Sequence, residues 1–327
     1  MLVVIVLIVI LGLVFDFTNG FHDTANAIAT SVSTRALSPR AAVLLAGAMN
    51  LIGAMTFTGV AKTIGGKIAD PLKIPHGTIV VLCALVAAIF WNLFTWYFGI
   101  PSSSSHALIG GLTGAVIGAA GFHAVDLAGF TSIIEALITS PICAFVLGFA
   151  IMWAFRGVFG WRSPHRVNRV FRVLQCFSAA AQAFMHGTND SQKTMGVITF
   201  ALIAGGYQHT MHVPLWVKTL CAIAMGVGTA SGGWRIIKTV GSKIIKIEPI
   251  NGFASDLTSS IIIFGFTLFK LPVSSTHVIS SAIMGTGAAK RARGVHWNVA
   301  GRILVAWLVT IPMSGLIAAG LTKLALL

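Results

Sequence analysis

The sequence predicts an all-α integral membrane protein of two inverted-topology repeats, with about 10–12 transmembrane helices that are broken or re-entrant at two serine-rich motifs. Three observations carry that prediction. Of 327 residues, 56% are hydrophobic and only 9% charged, and the mean hydropathy is +0.90, which leaves too little charged surface for a water-soluble fold. The apolar stretches are roughly 20 residues long, enough to cross a bilayer as helices, whereas a barrel would show alternating segments of about 10. Finally, two polar motifs each occur twice. Gly20-Phe21-His22-Asp23-Thr24-Ala25-Asn26 is echoed by Gly187-Thr188-Asn189-Asp190-Ser191-Gln192-Lys193, and Pro101-Ser102-Ser103-Ser104-Ser105-His106 by Pro272-Val273-Ser274-Ser275-Thr276-His277. Asp190 follows Asp23 by 167 residues and Pro272 follows Pro101 by 171, so both halves keep nearly one spacing. A further echo pairs Lys62–Ile68 with Lys238–Ile244.

In chain order, the predicted spans are residues 1–17, 41–61, 78–98, 103–122, 133–155, 174–204, 215–231, 253–269, 273–289 and 303–323. The first run has no Lys or Arg ahead of it and no small-residue cleavage site after it, so it reads as a span rather than a removable signal peptide. The sixth is long enough that a break or split is expected within it. The division is a first repeat over 1–160, a short basic cytoplasmic junction over 161–172 and a second repeat over 173–327. An odd number of crossings per half makes the second copy enter the membrane upside down. Placing both termini outside puts all eleven Arg in the cytoplasm, among them Arg35, Arg40, the cluster from Arg156 to Arg172, and Arg302. The implied location is the cell inner (plasma) membrane.

The formal charge of +14 would suit nucleic acid only if it formed a soluble basic face, but these residues sit in short loops between apolar spans. Positive-inside topology accounts for them, and the basic junction is placed to touch anionic lipid headgroups of the bilayer. Cys83, Cys143, Cys176 and Cys221 all fall in apolar spans without metal-ligand spacing, which indicates neither disulfides nor a dedicated metal site.

A carboxylate at the centre of a spanning helix costs about 2.5–3.5 kcal/mol on insertion scales, so each needs a partner or a task. Asp16, Asp23, Asp190 and Asp256 are the candidates. Asp23 and Asp190 occupy equivalent positions amid amides and hydroxyls, with Asn26 near one and Asn189 near the other, a composition that suits a hydrated cation or an oxyanion. The alternative is a closed structural network between helices. Asp16 and Asp256 lack equivalents, and for them the two readings weigh equally.

Each serine-rich motif begins at a Pro, which ends one helix and is tolerated at the first turn of the next. Ser102–Ser105 and Ser274–Thr276 then place hydroxyls and free N–H groups at a helix N-terminus, a ready anion site. Capping by one Ser explains a single motif, but several hydroxyls duplicated in the second half exceed what capping needs. His106 and His277 share one offset from Pro and are placed either to brace the helix start or to touch a ligand. Duplicated, interrupted, polar-bearing apolar segments point to a secondary transporter with its site between the repeats.

On the stretches Asn19–Thr30, His186–Lys193, Pro101–Gly110 and Pro272–His277, the sequence resembles the inorganic phosphate transporter (PiT) family in its bacterial branch, over essentially the whole chain. The resemblance implies a helical carrier with no enzymatic activity, phosphate bound near mid-membrane, and a homodimer as one arrangement that the sequence itself does not show. It places the substrate among Asp23, Asn26, Ser103, Ser104, Ser105, Asn189, Asp190, Lys193, Ser274, Ser275 and Thr276. Sodium-coupled members resemble Gly-x-Asn-Asp-x-x-Asn in both copies, whereas this chain has His22 for the first Asn and Lys193 in place of the last. That departure argues against sodium and for a tethered ammonium in its place. His22, an ionisable imidazole, joins Asp16, Asp23, Asp190, Lys193 and Asp256 as a coupling candidate. The branch with this pattern is associated with proton-coupled uptake, often of a neutral complex of phosphate with a divalent metal. Sulfate is the nearest rival substrate, but hydrogen phosphate can donate a hydrogen bond to Asp23 or Asp190 and sulfate cannot. An intramembrane phosphatase or phosphotransferase lacks a catalytic signature here, and a passive channel would not need duplicated broken motifs.

Overall fold

The computed structural model of the chain describes residues 2–100, 102–231 and 244–327, and the side chains of all of these except 24–26. The described residues form eleven α-helices: α1 (Leu2–Ser33), α2 (Pro39–Ala54), α3 (Gly59–Lys67), α4 (Gly77–Tyr97), α5 (Ser104–Ala120), α6 (Leu127–Phe159), α7 (Pro164–Ala204), α8 (Leu215–Ser231), α9 (Pro249–Leu268), α10 (Ser275–Arg291) and α11 (Trp297–Ala325). Pro101, the side chain of Asn26 and most of the Lys238–Ile244 echo lie outside the described residues.

Local chemistry explains where the helices start and stop. Ser38-Pro39 opens α2 and Ser163-Pro164 opens α7, each Ser accepting a hydrogen bond from the backbone N–H three residues on and each Pro occupying a position whose N–H has no helical partner. Asp126 caps α6 by accepting from the N–H groups of Ala128 and Gly129. Behind α4 and α9 the chain turns at Gly99 (φ +64°) and Lys270 (φ +62°), which are 171 residues apart like the serine motifs that follow them. The predicted breaks at those motifs are therefore present. The helices resume at Ser104 and Ser275, however, and Pro272 lies in the connection rather than in the first turn.

Among the described residues, four helices are long and apolar enough to span a bilayer: α1, α4, α6 and α11. A fifth span is available if α2 and α3, bent by 71° at their break, count as one. α5 and α10 have 17 residues each, about 26 Å, short of the ~30 Å hydrocarbon core, which is the length of a re-entrant arm. One expectation needs correction. The sixth span is neither broken nor split: α7 runs unbroken for 41 residues because it contains no internal Pro and its polar residues face other helices. Most of the basic junction is helical too, residues 164–172 forming the first turns of α7.

Packing follows a pattern that survives exchange of the halves. α5 lies along α11 and α10 along α6; α7 packs on α2 and α9, and α1 on α8 and α4. Small residues set the close approaches, as they do between helices in lipid. A Cβ on Gly20 would stand 2.6 Å from the Met225 carbonyl of α8, and one on Gly187 would collide with the Asn50 backbone of α2.

Several arginines gather at one end of the bundle. Arg156 donates to the carbonyl of Ala289 at 2.5 Å, Lys290 pairs with Glu248 at 2.5 Å, and Thr34 donates to Gln175 at 2.6 Å. These contacts gather the C-terminal ends of α1, α6 and α10 with the N-terminal ends of α7 and α9 at one end of the bundle, beside Arg35, Arg156, Arg166 and Arg291. We refer to this as the arginine end.

Candidate functional site

The two polar motifs of each half sit on different kinds of scaffold. Asp23 lies within α1 and Asp190 within α7, both in helical backbone, while the serine motifs form the N-termini of α5 and α10. On α7 the residues His186, Asn189, Asp190 and Lys193 recur at helical spacing, so they share one face, and all are buried.

Asp190 is the most heavily partnered group. The Lys193 ammonium donates to its Oδ1, Ser275 Oγ donates to Oδ2 at 2.7 Å, and His186 Nε2 stands 3.0 Å from Oδ2. Lys193 also donates to Ser105 Oγ at 2.5 Å and to the Val273 carbonyl at 2.6 Å, so this one ammonium ties α7 to the starts of both α5 and α10. His186 is held in turn by Asn50 Oδ1 at 2.7 Å, and Asn50 donates to Thr229 at 3.1 Å.

Asp23 meets the same place from the other half. Thr276 Oγ1 donates to its Oδ1 at 2.9 Å, and His22 Nδ1 lies 2.9 Å from that oxygen. The other ring nitrogen of His22 is 3.4 Å from Thr95 Oγ1, which accepts from Ser102 at 2.7 Å. Asp23, His186 and Asp190 each present a ligand atom within 4.8 Å of the others, a set with the composition to hold a divalent cation. The starts of α5 and α10 converge on these carboxylates, and behind them the rings of His106 and His277 lie 4.2 Å apart, with His277 stacked on Trp307 at 3.7 Å.

The structure thus brings together His22, Asp23, Ser105, Asp190, Lys193, Ser275 and Thr276. Other predicted residues have structural partners. Ser103 and Ser274 cap α5 and α10, accepting from the N–H groups of His106 and His277 at 3.2 and 3.3 Å. The Asn189 carboxamide is committed to the loop before α10, donating to Thr267 at 2.9 Å and accepting from Val273 N at 3.2 Å. Ser104 Oγ is buried without a hydrogen-bond partner among the described residues. Neither Asp16 nor Asp256 bonds a residue of that set, although Asp16 stands near enough to Asp190 and Lys193 to interact with their charges. Asp16 accepts from Thr194 at 2.5 Å, and Asp256 accepts from Thr30 at 2.7 Å and Ser178 at 3.0 Å.

Sequence reasoning left out His186, Asn50, Thr95 and Asn92. The spacing of His186, four residues before Asp190 on a helix, was a usable signal. Asn92, buried with both carboxamide atoms unpartnered among the described residues, carries no motif and has apolar Ile263 at its mate position.

A polytopic helical bundle with helix starts and paired carboxylates meeting in its interior defines a membrane transport protein rather than an enzyme. Over residues 19–318 the chain matches the model of the phosphate transporter family, and it belongs to that family. It is 57% identical over 320 residues to a "probable low-affinity inorganic phosphate transporter" of Bacillus subtilis, covering 98% of this chain and 96% of that one. A protein of the same description from Rhizobium meliloti is 45% identical, covering 95% of this chain and 93% of its own. Among solved structures, a sodium-dependent phosphate transporter superposes with a TM-score of 0.89 at 23% identity, covering 99% of each chain, and so shares the fold.

Proposed function

We propose that this protein imports inorganic phosphate across the plasma membrane as a secondary active, proton-coupled carrier, with the anion held where the starts of α5 and α10 face Asp23 and Asp190. The observation that carries the reading is the position of Lys193. Its ammonium bridges Asp190, Ser105 and Val273, a carboxylate, a hydroxyl and a carbonyl oxygen of the kinds that a sodium ion takes as ligands. A tethered cation there leaves one fewer ion to recruit. The N–H groups of two helix first turns and the Ser104 hydroxyl, which has no partner among the described residues, supply donors for phosphate oxygens, and the Ser105, Ser275 and Thr276 hydroxyls join them by turning from Val273, Asp190 and Asp23. Asp23 and Asp190 supply acceptors for the proton of hydrogen phosphate, which sulfate lacks.

Charge balance favours company for the anion. Moving a negative charge inward against the potential costs about 2.3 kcal/mol per 100 mV, so a proton or a divalent metal carried with phosphate makes uptake feasible. The Asp23, His186 and Asp190 set supports the metal-phosphate form as cargo. Two inverted repeats, 1–160 and 173–327, fit the exchange symmetry of the packing and the meeting of the α1 C-terminus with the α7 N-terminus. In this reading the arginine end is cytoplasmic.

The test is phosphate uptake into proteoliposomes with sodium, the proton gradient and magnesium varied independently, for the parent and Lys193→Asn. The parent should take up phosphate equally in choline and sodium media and respond to the proton gradient. A parent that requires sodium would sink the tethered-cation reading.

A further inference from the structure

On the outer face of the bundle, a groove of about 650 Å³ runs between the C-terminal end of α4 and the first turns of α11. Its volume is that of a ligand site rather than of a packing gap. Trp91, Phe94 and Ile100 form one wall, and Val305 and Val309 belong to the other. Phe94, Val305 and Val309 are 42%, 60% and 41% exposed, so the groove opens toward the hydrocarbon of the bilayer. Trp91 Nε1 donates to Thr310 Oγ1 at 3.1 Å, and the Trp91 ring stacks on Phe94 with centroids 5.7 Å apart, which fixes the floor between the two helices.

One charge interrupts this apolar lining. Arg302 lies on the α11 wall, exposed, with no carboxylate within ion-pair distance among the described residues. With a rise of 1.5 Å per residue it stands about 7.5 Å along α11 from Trp297 at the arginine end, while Val305 and Val309 stand about 12 and 18 Å along. A cation at headgroup depth above an apolar slot at acyl-chain depth complements a phospholipid.

Two alternatives account for less. An arginine near a helix end can snorkel to the interface without a particular partner, but that leaves the aromatic slot beneath it unexplained. Free phosphate would satisfy the guanidinium, yet the walls offer it hydrocarbon and the hydroxyl of Thr95, which is already bonded to Ser102. The fold does not impose the groove. Offsets of 171 residues between α4 and α9, and of 170 between the starts of α6 and α11, make the mates of Trp91, Phe94 and Arg302 Ile262, Gly265 and Ser132.

The groove also reaches the support of the carboxylate centre. Its inner wall is Thr95, which accepts from Ser102 at 2.7 Å and lies 3.4 Å from His22 Nε2, together with the turn at Gly99. A Cβ on Gly99 would meet nothing within 4 Å among the described residues, so an occupant has room to brace the turn that leads into the first serine motif.

We propose that this groove binds an anionic phospholipid of the arginine-end leaflet, its phosphate on Arg302 and one acyl chain between α4 and α11, and that the bound lipid steadies the Gly99 turn for transport. The planar fork of Arg302 matches two phosphate oxygens. Arg291 and Arg293, just ahead of α11, disfavour a headgroup that carries its own ammonium. Binding stands independently of the phosphate-transport reading; the effect on uptake rests on it.

The test uses the full-length protein in phosphatidylcholine vesicles with a trace of phosphatidylglycerol that carries a photoreactive acyl chain. Cross-links should map to residues 91–100 and 299–309, be displaced by excess phosphatidylglycerol, and fall at least tenfold in Arg302→Gln. Ala306→Trp, which keeps the charge and fills the slot, should lower them as much. Equal displacement by phosphatidylcholine would mean bulk lipid only, and displacement by inorganic phosphate would give Arg302 to the free anion. Absence of labelling there, as a second copy seated on this face would cause, or labelling that neither variant changes, would likewise overturn the proposal. Uptake by the parent should rise about threefold when phosphatidylglycerol replaces a third of the phosphatidylcholine, with no response in Arg302→Gln; an equal rise in both would assign the effect to surface charge and remove the modulating role. The expected cross-links in a parent that moves no phosphate in either lipid would instead count against the transport reading.

Discussion

At the scale of single residues, the Lys193–Asp190 pair makes demands on both stability and transport. Both side chains are almost fully excluded from solvent, and removing one partner of such a pair strands the other charge at a cost of about 3–5 kcal/mol. Lys193→Met should therefore lower the melting temperature of the purified protein by several degrees, and Lys193→Met with Asp190→Asn should recover most of that loss while remaining inactive. Thermal unfolding in detergent measures the first effect and uptake the second; a double variant no more stable than the single one would mean that the pair is not coupled. Asp23→Asn and Asp190→Asn should each cut uptake below a tenth while leaving membrane insertion intact, and normal transport by both would take these carboxylates out of the mechanism. Much of this centre was legible in the sequence because duplication marked it: two Asp residues at one spacing, each unwelcome in lipid, had to have a use. Thr95 and Asn92 were not legible, since a lone polar residue in an apolar helix has no echo and its burial depends on which neighbour covers it.

At the scale of elements, the starts of α5 and α10 separate two uses of a serine hydroxyl that the sequence could not divide. Ser103 and Ser274 cap their helices, whereas Ser105 and Ser275 bond Lys193 and Asp190. Losing an N-cap typically costs about 1 kcal/mol, and Thr replaces Ser in that role with little loss. Ser103→Ala should consequently be slightly less stable than the parent, with Ser103→Thr restored and transport kept, whereas Ser105→Ala, which strips an acceptor from the buried Lys193 ammonium, should lose most uptake. Melting curves and uptake rates for the three variants check the division, and a Ser103→Thr variant as impaired in transport as Ser105→Ala would place Ser103 against the substrate instead. Helix boundaries were readable wherever a breaker stood, as at Ser163-Pro164. Hydropathy misjudged α1 and α7, because it ends a span where polar residues begin. In α1 the helix continues from residue 17 to Ser33 since the polar face meets other polar faces inside the bundle, which no window over one segment can register.

At the scale of the whole molecule, the positive charge and the helix directions make one topological prediction. The arginine end collects the turn at residues 160–163 between α6 and α7, where Trp161 is 93% exposed, while Leu72, in the connection before α4, is 68% exposed near Asp70 and Lys73. Because Arg and Lys in short loops resist translocation, the arginine end should be cytoplasmic and the Leu72 connection outside. In a background without native cysteines, Leu72→Cys should react with an impermeant thiol reagent added to intact cells, and Trp161→Cys only after the membrane is opened. The contrast tests the inverted arrangement as well. The segment before α4 and the turn opening α7 can lie on opposite sides only if an odd number of crossings separates them, which requires α5 and the 98–103 break to make the crossing count of the first half odd. Labelling of both cysteines from outside would leave an even count and place the two halves parallel rather than inverted.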